Sequence, residues 1–248
     1  MTTAPKLGLA GHKLDPRGRT LKLRDFLRRD FAVPEGGDVA FGMEPDSDPL
    51  GNDQFGVCGL ACPAHFERWQ DQRVRDPTTV NTDAVLLEAQ NFGFDPADPD
   101  SFEGVYALDV MKRWRSVGLF GLEPIEAFAQ VDFYDRAQLK GGTYLLGGSA
   151  LCLNLPRRVK AGSIYVADTW DVADDDDGHL GGHMVLLQGD TLNSWGSHRG
   201  RILVTWQFIQ RYTFDAYVWV SRRGLVDGRA LSGLDLDGMR EALAYVTG

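Results

Sequence analysis

The sequence predicts an α+β protein whose helices and strands are segregated into two lobes. Three observations carry this. Apolar residues at helical spacing are concentrated between about residues 59 and 117. Short apolar or alternating runs, bounded by turn residues, dominate from Ala127 to Val220. Between a polar, glycine-containing loop and the first helix pattern stands a cysteine, Cys58, within the stretch Gly51 to Trp69.

Taken in order, Met1 to Arg19 is polar and rich in Gly, Pro and basic residues, an extended arm with few ways to bury itself. Thr20 to Phe31 sets Leu21, Leu23, Phe26 and Leu27 among charges, as a short helix or strand docking on the body would. Pro34 to Leu50, with three prolines and three glycines, is loop. A helix follows over Gly59 to Val74, with Leu60, Ala64, Phe66 and Trp69 buried. Pro63 is comfortable only in a first turn, so this helix either starts nearer Cys62 or begins irregularly. Thr82 is placed to cap a second helix carrying Val85, Leu86 and Ala89. Phe92 to Phe102 is a proline-rich loop. Val105 to Val117 is the clearest amphipathic helix, stopped by Gly118.

The second half predicts a strand at Ala127 to Val131, a short helix at Asp135 to Tyr144, and strands at Ala150 to Leu155 and Ser163 to Ala167. Asp168 to Leu180 is an acidic loop with four consecutive aspartates, Asp174 to Asp177. His183 to Gln188 is a buried strand; Leu203 to Ile209 and Ala216 to Val220 are two more, and Leu234 to Val246 is a closing helix.

The 248 residues are enough for one large domain or two lobes with a sizeable core. A hydrophobic content of 43% and a charged content of 25% are those of a soluble globule. The net charge of −9 argues against a nucleic-acid partner. No stretch approaches a membrane span, and the N-terminus has no signal-peptide pattern, which points to a cytoplasmic or particle-associated protein. Three cysteines make an odd count, unsuited to a disulfide framework.

A helix N-terminus favours the thiolate, so Cys58 is placed to be a nucleophile. Gln54, four residues upstream, offers an amide donor to the same region, and the pair suggests acyl chemistry. The stretch Gly181 to Gly196 supplies a base, His183, and an amide to orient it, Asn193, with Trp195 to shield their hydrogen bond. Cys62 is the rival nucleophile because Pro63 is a good first helical residue. Cys152 lies mid-strand as core. His12, His65 and His198 have no evident partner in the sequence. A zinc reading joins Cys58 and Cys62 with His179 and His183, but more than a hundred residues separate the two pairs. The aspartate run lacks the alternating ligands of a calcium loop.

Gln54, Cys58, His183 and the run Asn193-Ser194-Trp195-Gly196 resemble the papain-like cysteine peptidases. The patterns GND-x-x-G-x-C, DVMKRW, AFAQVD, GGH and LSGLDLDG are similar to those of papain-like proteins of bacteriophages and prophages. The resemblance implies a helical lobe whose central helix carries the cysteine and a strand-rich lobe carrying His183 and Asn193. It divides the chain into an arm and docking segment at 1–40, a papain-like domain at 41–222 and a C-terminal extension at 223–248. It implies a thiol hydrolase of peptide or amide bonds, needing neither cofactor nor metal, with a peptide or protein substrate. The alternative it implies is a virion structural or decoration protein contacting capsid or tail proteins. Three departures stand out. Three residues separate Gln54 from Cys58 where the family has five, which makes Asn52 a substitute donor. Gly59 follows the cysteine where the family has an aromatic residue. The span from His183 to Asn193 demands a tight hairpin.

Overall fold

Alternation along the central strands decides the architecture. A computed structural model describes residues 8–14, 21–33, 46–74, 80–161, 164–165, 169–172, 178–188, 191–193, 201–222, 225 and 233–247. Three helices come first: α1 (Cys58–Val74), α2 (Thr82–Gln90) and α3 (Ala107–Val117). Then follow β1 (Ala127–Gln130), α4 (Arg136–Leu146), β2 (Ser149–Pro156), β3 (Lys160–Ala161), β4 (Ile164–Tyr165) and β5 (Thr169–Trp170). The chain continues through β6 (His179–Gln188), β7 (Thr191–Asn193), β8 (Arg201–Val204), α5 (Trp206–Tyr212), β9 (Thr213–Val220) and α6 (Leu236–Thr247).

Seven strands form one sheet in the order β1-β9-β2-β6-β7-β8-β5, antiparallel except where β5 meets β8; β3 and β4 pair separately. Side chains alternate between two buried clusters. Cys152, Met184, Leu186, Tyr217 and Trp219 join the cluster with α1 to α3. Leu151, Leu153, Val185, Leu187, Val218 and Val220 join the cluster with α4, α5 and α6. A sheet buried on both faces needs apolar residues at both parities, and these strands supply them. The α+β class with helices leading and strands following is as the sequence predicts.

Several local expectations change. Helix α2 is capped by Asn81, whose side chain accepts from the Ala84 N–H at 2.9 Å; Thr82 is its first residue. α3 begins at Ala107, because Val105 is drawn into a bridge with Leu9. The apolar run Leu203 to Ile209 is not one strand. β8 ends at Val204, and Thr205 caps α5 by accepting from the Phe208 N–H at 3.2 Å, so a capping residue inside a β-rich run overrides its strand propensity. Residues 8 to 10 are not a loose arm: Leu9 is buried between Val105 and Gly182. The run Asp174 to Asp177 lies outside the described residues.

The C-terminal segment closes the second cluster. Leu234, Leu236 and Met239 are buried there, and Asp235 N–H and Gly233 carbonyl pair with Phe26 and Arg28. Arg240 bonds Glu126 beside β1. In the first cluster, Phe66 of α1, Trp114 of α3 and Trp219 of β9 form an aromatic junction, with Trp219 4.9 Å from Phe66 and 5.1 Å from Trp114 between centroids. We expect Trp219→Ala to cost about 3–5 kcal/mol in denaturant unfolding, as deletion of a fully buried aromatic does. The half-exposed Leu203 should tolerate alanine within roughly 0.5 kcal/mol.

Candidate active site

Helix α1 starts at Cys58. The carbonyl of Val57 accepts from both Leu60 N–H and Ala61 N–H at 2.9 Å, closing the first turn. Pro63 therefore lies inside the helix, beyond the first turn. Its missing N–H would have met the carbonyl of Gly59, so the irregularity falls one residue after the cysteine. Gly59 itself is dictated by packing: a Cβ there would stand 2.3 Å from a methyl of Val105. This accounts for glycine at a position where the papain-like pattern has an aromatic residue.

The loop before Cys58 is clamped to the body of α1. Asp46 takes Arg68 Nε at 2.8 Å and His65 Nδ1 at 3.3 Å, and Asp48 takes Arg68 Nη1 at 2.7 Å. Burial pushes both carboxyls up, but the His65 and Arg68 partners of Asp46, and the Arg68 and Leu50 N–H partners of Asp48, outweigh it and hold both below the usual value of 3.8. His65 thus has a structural partner that the sequence did not reveal. The loop turns through Leu50 and Gly51 in left-handed conformations, φ 52° and 81°, with Leu50 fully buried. Gln54 is exposed on this turn, its backbone N–H bonded to the Gly51 carbonyl at 3.2 Å; Asn52 is half-buried.

The thiol is delivered to the sheet at β6. The Met184 N–H donates to Cys58 Sγ at 3.4 Å, and Cys58 is 1% exposed. Standard peptide dimensions then hold the His183 Cα within roughly 6 Å of that sulfur. His183 is buried and pairs with Leu153 across β2, so it holds the alternate position in the pleat from Met184. A register shift at Leu155/Pro156, opposite Gly181 and His179, interrupts the ladder just before it. The hairpin is as tight as the sequence demands: Gln188 pairs with Thr191, leaving a two-residue connection. Asn193 pairs with Leu186, three residues along β6 from His183, roughly 10 Å at strand rise. The side chain of Asn193 lies outside the described residues, as do Ser194, Trp195, Gly196 and His198.

The three cysteines are free and buried, and their surroundings differ. Cys62 is one turn into α1; burial, then the neighbouring Cys58, pushes its thiol well up. Burial, then the charge of Asp215, does the same at Cys152. Only Cys58 stands at the helix N-terminus. His179 is exposed at the start of β6 against Tyr212. Among the described residues, which include Cys58, Cys62, His179 and His183, no group of three or more His, Cys, Asp or Glu could hold a metal ion. No described helix is long and apolar enough to cross a membrane.

Among solved structures the chain is similar to xylellain, a cysteine protease from Xylella fastidiosa. The TM-score is 0.59 at 13% identity, over 89% of this chain and 98% of that one. The fold is papain-like. No protein-family model matches the chain, and no curated protein does. In this papain-like frame the sequence left two features unread. One is His12, whose Nδ1 lies 3.1 Å from Asp215 Oδ2; the other is Asp215 itself, 2% exposed in an apolar strand. An acid in the run TFDAYVWV was the signal, since a buried carboxylate requires partners.

Two measurements follow from this geometry. Iodoacetamide should label Cys58 ahead of Cys62 and Cys152 in the native protein, as read by peptide mapping, because all three thiols are buried and Cys58 alone of them stands at a helix N-terminus, which favours its thiolate. Asp46→Asn should lower the melting temperature at pH 7 by on the order of 5 °C, from the loss of charged hydrogen bonds to the cysteine loop. The carboxyl of Asp46 is depressed in the folded state, so its stabilisation is present above 3.8 and disappears as pH falls through the folded value. The gap between wild type and variant should therefore close below that pH; a gap that persists there assigns the effect to packing.

Proposed function

We propose that the protein is a thiol hydrolase of peptide or amide bonds, with Cys58 as nucleophile and His183 as base. The observation that carries this is the Met184 N–H on Cys58 Sγ, which sets a helix-terminal thiol against the peptide that joins His183 to Met184. His183 takes the proton of the thiol, and the thiolate attacks the substrate carbonyl carbon. The positive end of α1 and the amide of Gln54 or Asn52 stabilise the oxyanion. His183 then returns its proton to the leaving amine as the C–N bond breaks. Water, deprotonated by the same imidazole, hydrolyses the thioester and restores the thiol. Asn193 orients the ring. The setting we propose is phage-encoded, a reading that rests on the resemblance of the GND-x-x-G-x-C, DVMKRW and GGH patterns.

The burial of Cys58 favours a second reading, a papain-like module that binds virion proteins without turnover. One paired experiment separates the two. In the hydrolase reading Cys58→Ser abolishes cleavage of a mixed peptide library. Asn193→Ala lowers kcat on the order of 10–10³-fold with little change in melting temperature. Cleavage that persists in Cys58→Ser would remove the mechanism.

A further inference from the structure

The side of the sheet away from Cys58 carries a groove between residues 24–33 and helix α4. Cys58 belongs to the cluster with α1 to α3; Leu23 and Leu139 belong to the other, and Leu27 and Phe31 pack against it. Residues 21–28 are pinned there by backbone bonds. Arg28 N–H donates to the Gly233 carbonyl at 2.9 Å, Asp235 N–H to the Phe26 carbonyl at 2.8 Å and Gln130 N–H to the Leu21 carbonyl at 2.8 Å. Between this segment and α4 lies a cavity of about 450 Å³, within the size range of ligand-binding clefts.

The floor of the cavity is apolar. Leu27 and Phe31 are half-buried there beside Ala137, and Phe31 stacks on Tyr144 with ring centroids 6.3 Å apart. Gly141 lies one helical turn beyond Ala137, on the same face of α4. A Cβ on Gly141 would stand 3.6 Å from Phe31 and 4.0 Å from Leu27, which is ordinary contact, so packing does not demand glycine there. Gly142 differs: a Cβ on it would fall 2.6 Å from Leu23. Glycine inside a helix weakens it, and one that the core does not require keeps the floor of the groove flat.

The rim is cationic. Arg24, Arg28, Arg29 and Lys140 line the cavity against one carboxylate, Asp135. Asp135 is committed to its own helix, capping α4 by accepting from Gln138 N–H at 3.1 Å. Arg24 meets Asp25 at 3.6 Å in an exposed contact. Arg28 and Arg29 are exposed, and among the described residues no carboxylate pairs with either. The chain has 35 acidic residues against 26 Lys and Arg. Cations gathered without carboxylates in so acidic a chain repel one another and contribute nothing to the fold, so their complement is an anion from outside it.

The surface is longer than one side chain. A second cavity of about 240 Å³ shares Arg24 and Gln138 with the first and adds Phe133 and Lys22, the latter held by the Gln130 side chain. Phe133 is half-buried, its ring 4.6 Å from that of the exposed Tyr134. An aromatic floor beside a cation thus recurs in two adjoining cavities, which suits an extended chain better than a compact ligand.

We propose that the groove between residues 24–33 and α4 docks an acidic peptide segment of a protein partner, with a large apolar side chain of that segment on Leu27, Phe31 and Ala137 and its carboxylates on Arg28 and Arg29. Guanidinium groups pair with carboxylates in a planar, two-pronged geometry, which gives the contact its direction. The apolar anchor supplies burial, and the arginines reject neutral and basic segments. Over the rest of an acidic surface such a partner is repelled, so the patch also steers it to this face. The docking is independent of the hydrolase reading of Cys58, which lies on the other side of the sheet.

The test uses the full chain and the peptide Gly-Glu-Glu-Phe-Glu-Glu-Gly, blocked at both ends, with binding read by isothermal titration calorimetry. Wild type should bind it about tenfold or more tightly than an analogue with glutamine for every glutamate, and about tenfold more tightly than one with glycine for phenylalanine. The double variant Arg28→Glu, Arg29→Glu should lose about the same factor with its melting temperature unchanged, because both positions are exposed. Gly141→Leu, which fills the floor with a good helix former, should also weaken binding about tenfold. Equal binding of the glutamate and glutamine peptides, or undiminished binding by the folded double variant, overturns the proposal. Absence of peptide binding overturns it too; capture of wild type, but not of the double variant, on phosphatidylglycerol vesicles would then make the patch a membrane contact. Cys58→Ser should bind the peptide as wild type does. Loss of binding in that variant would place the peptide at the thiol and overturn docking on this face.

Discussion

The contact of Met184 N–H with Cys58 Sγ fixes the relation between the two halves of the molecule. It joins the first residue of α1 to the middle of β6, and α1 makes its main packing interface against that strand. Everything else about the cleft follows from this seating. The cysteine loop must bring Cys58 to β6, and Asp46 and Asp48 tie that loop back to Arg68 on α1. The aromatic junction of Phe66, Trp114 and Trp219 then locks the same helix to α3 and β9 farther along its length. A helix held at its first residue and again at its middle presents its N-terminus in one position. Preorganisation of that kind is what an electrostatic site requires, since dipoles that need not reorient act at full strength.

The sequence carried the architecture well because each central strand is apolar at both parities. Cys152 and Leu153, Met184 and Val185, and Trp219 and Val220 each split between the two clusters. Helix α1 and the tight β6–β7 hairpin were legible for the same reason, from a polar-to-apolar changeover and from a short spacing between His183 and Asn193. What was not legible depended on distant partners. Thr82 and Asn81 are both competent caps, and only the backbone settles that Asn81 is used. Leu203 to Ile209 looks like one strand until Thr205 is seen capping α5. His12 and His65 looked unpartnered because Asp215 and Asp46 lie 203 and 19 residues away.

Three thiols share one cluster, yet their chemistry is set apart by where each stands on helix α1 or strand β2. Cys62 is on the same helix as Cys58, and burial, then the neighbouring Cys58, disfavours its thiolate. Cys152 has the added disadvantage of the Asp215 charge. The same carboxylate acts on Tyr217, whose hydroxyl is driven far up by burial first and then by Asp215. A proton held that firmly keeps Tyr217 a donor to Asp215, beside the Gln130 amide and the Ala216 N–H.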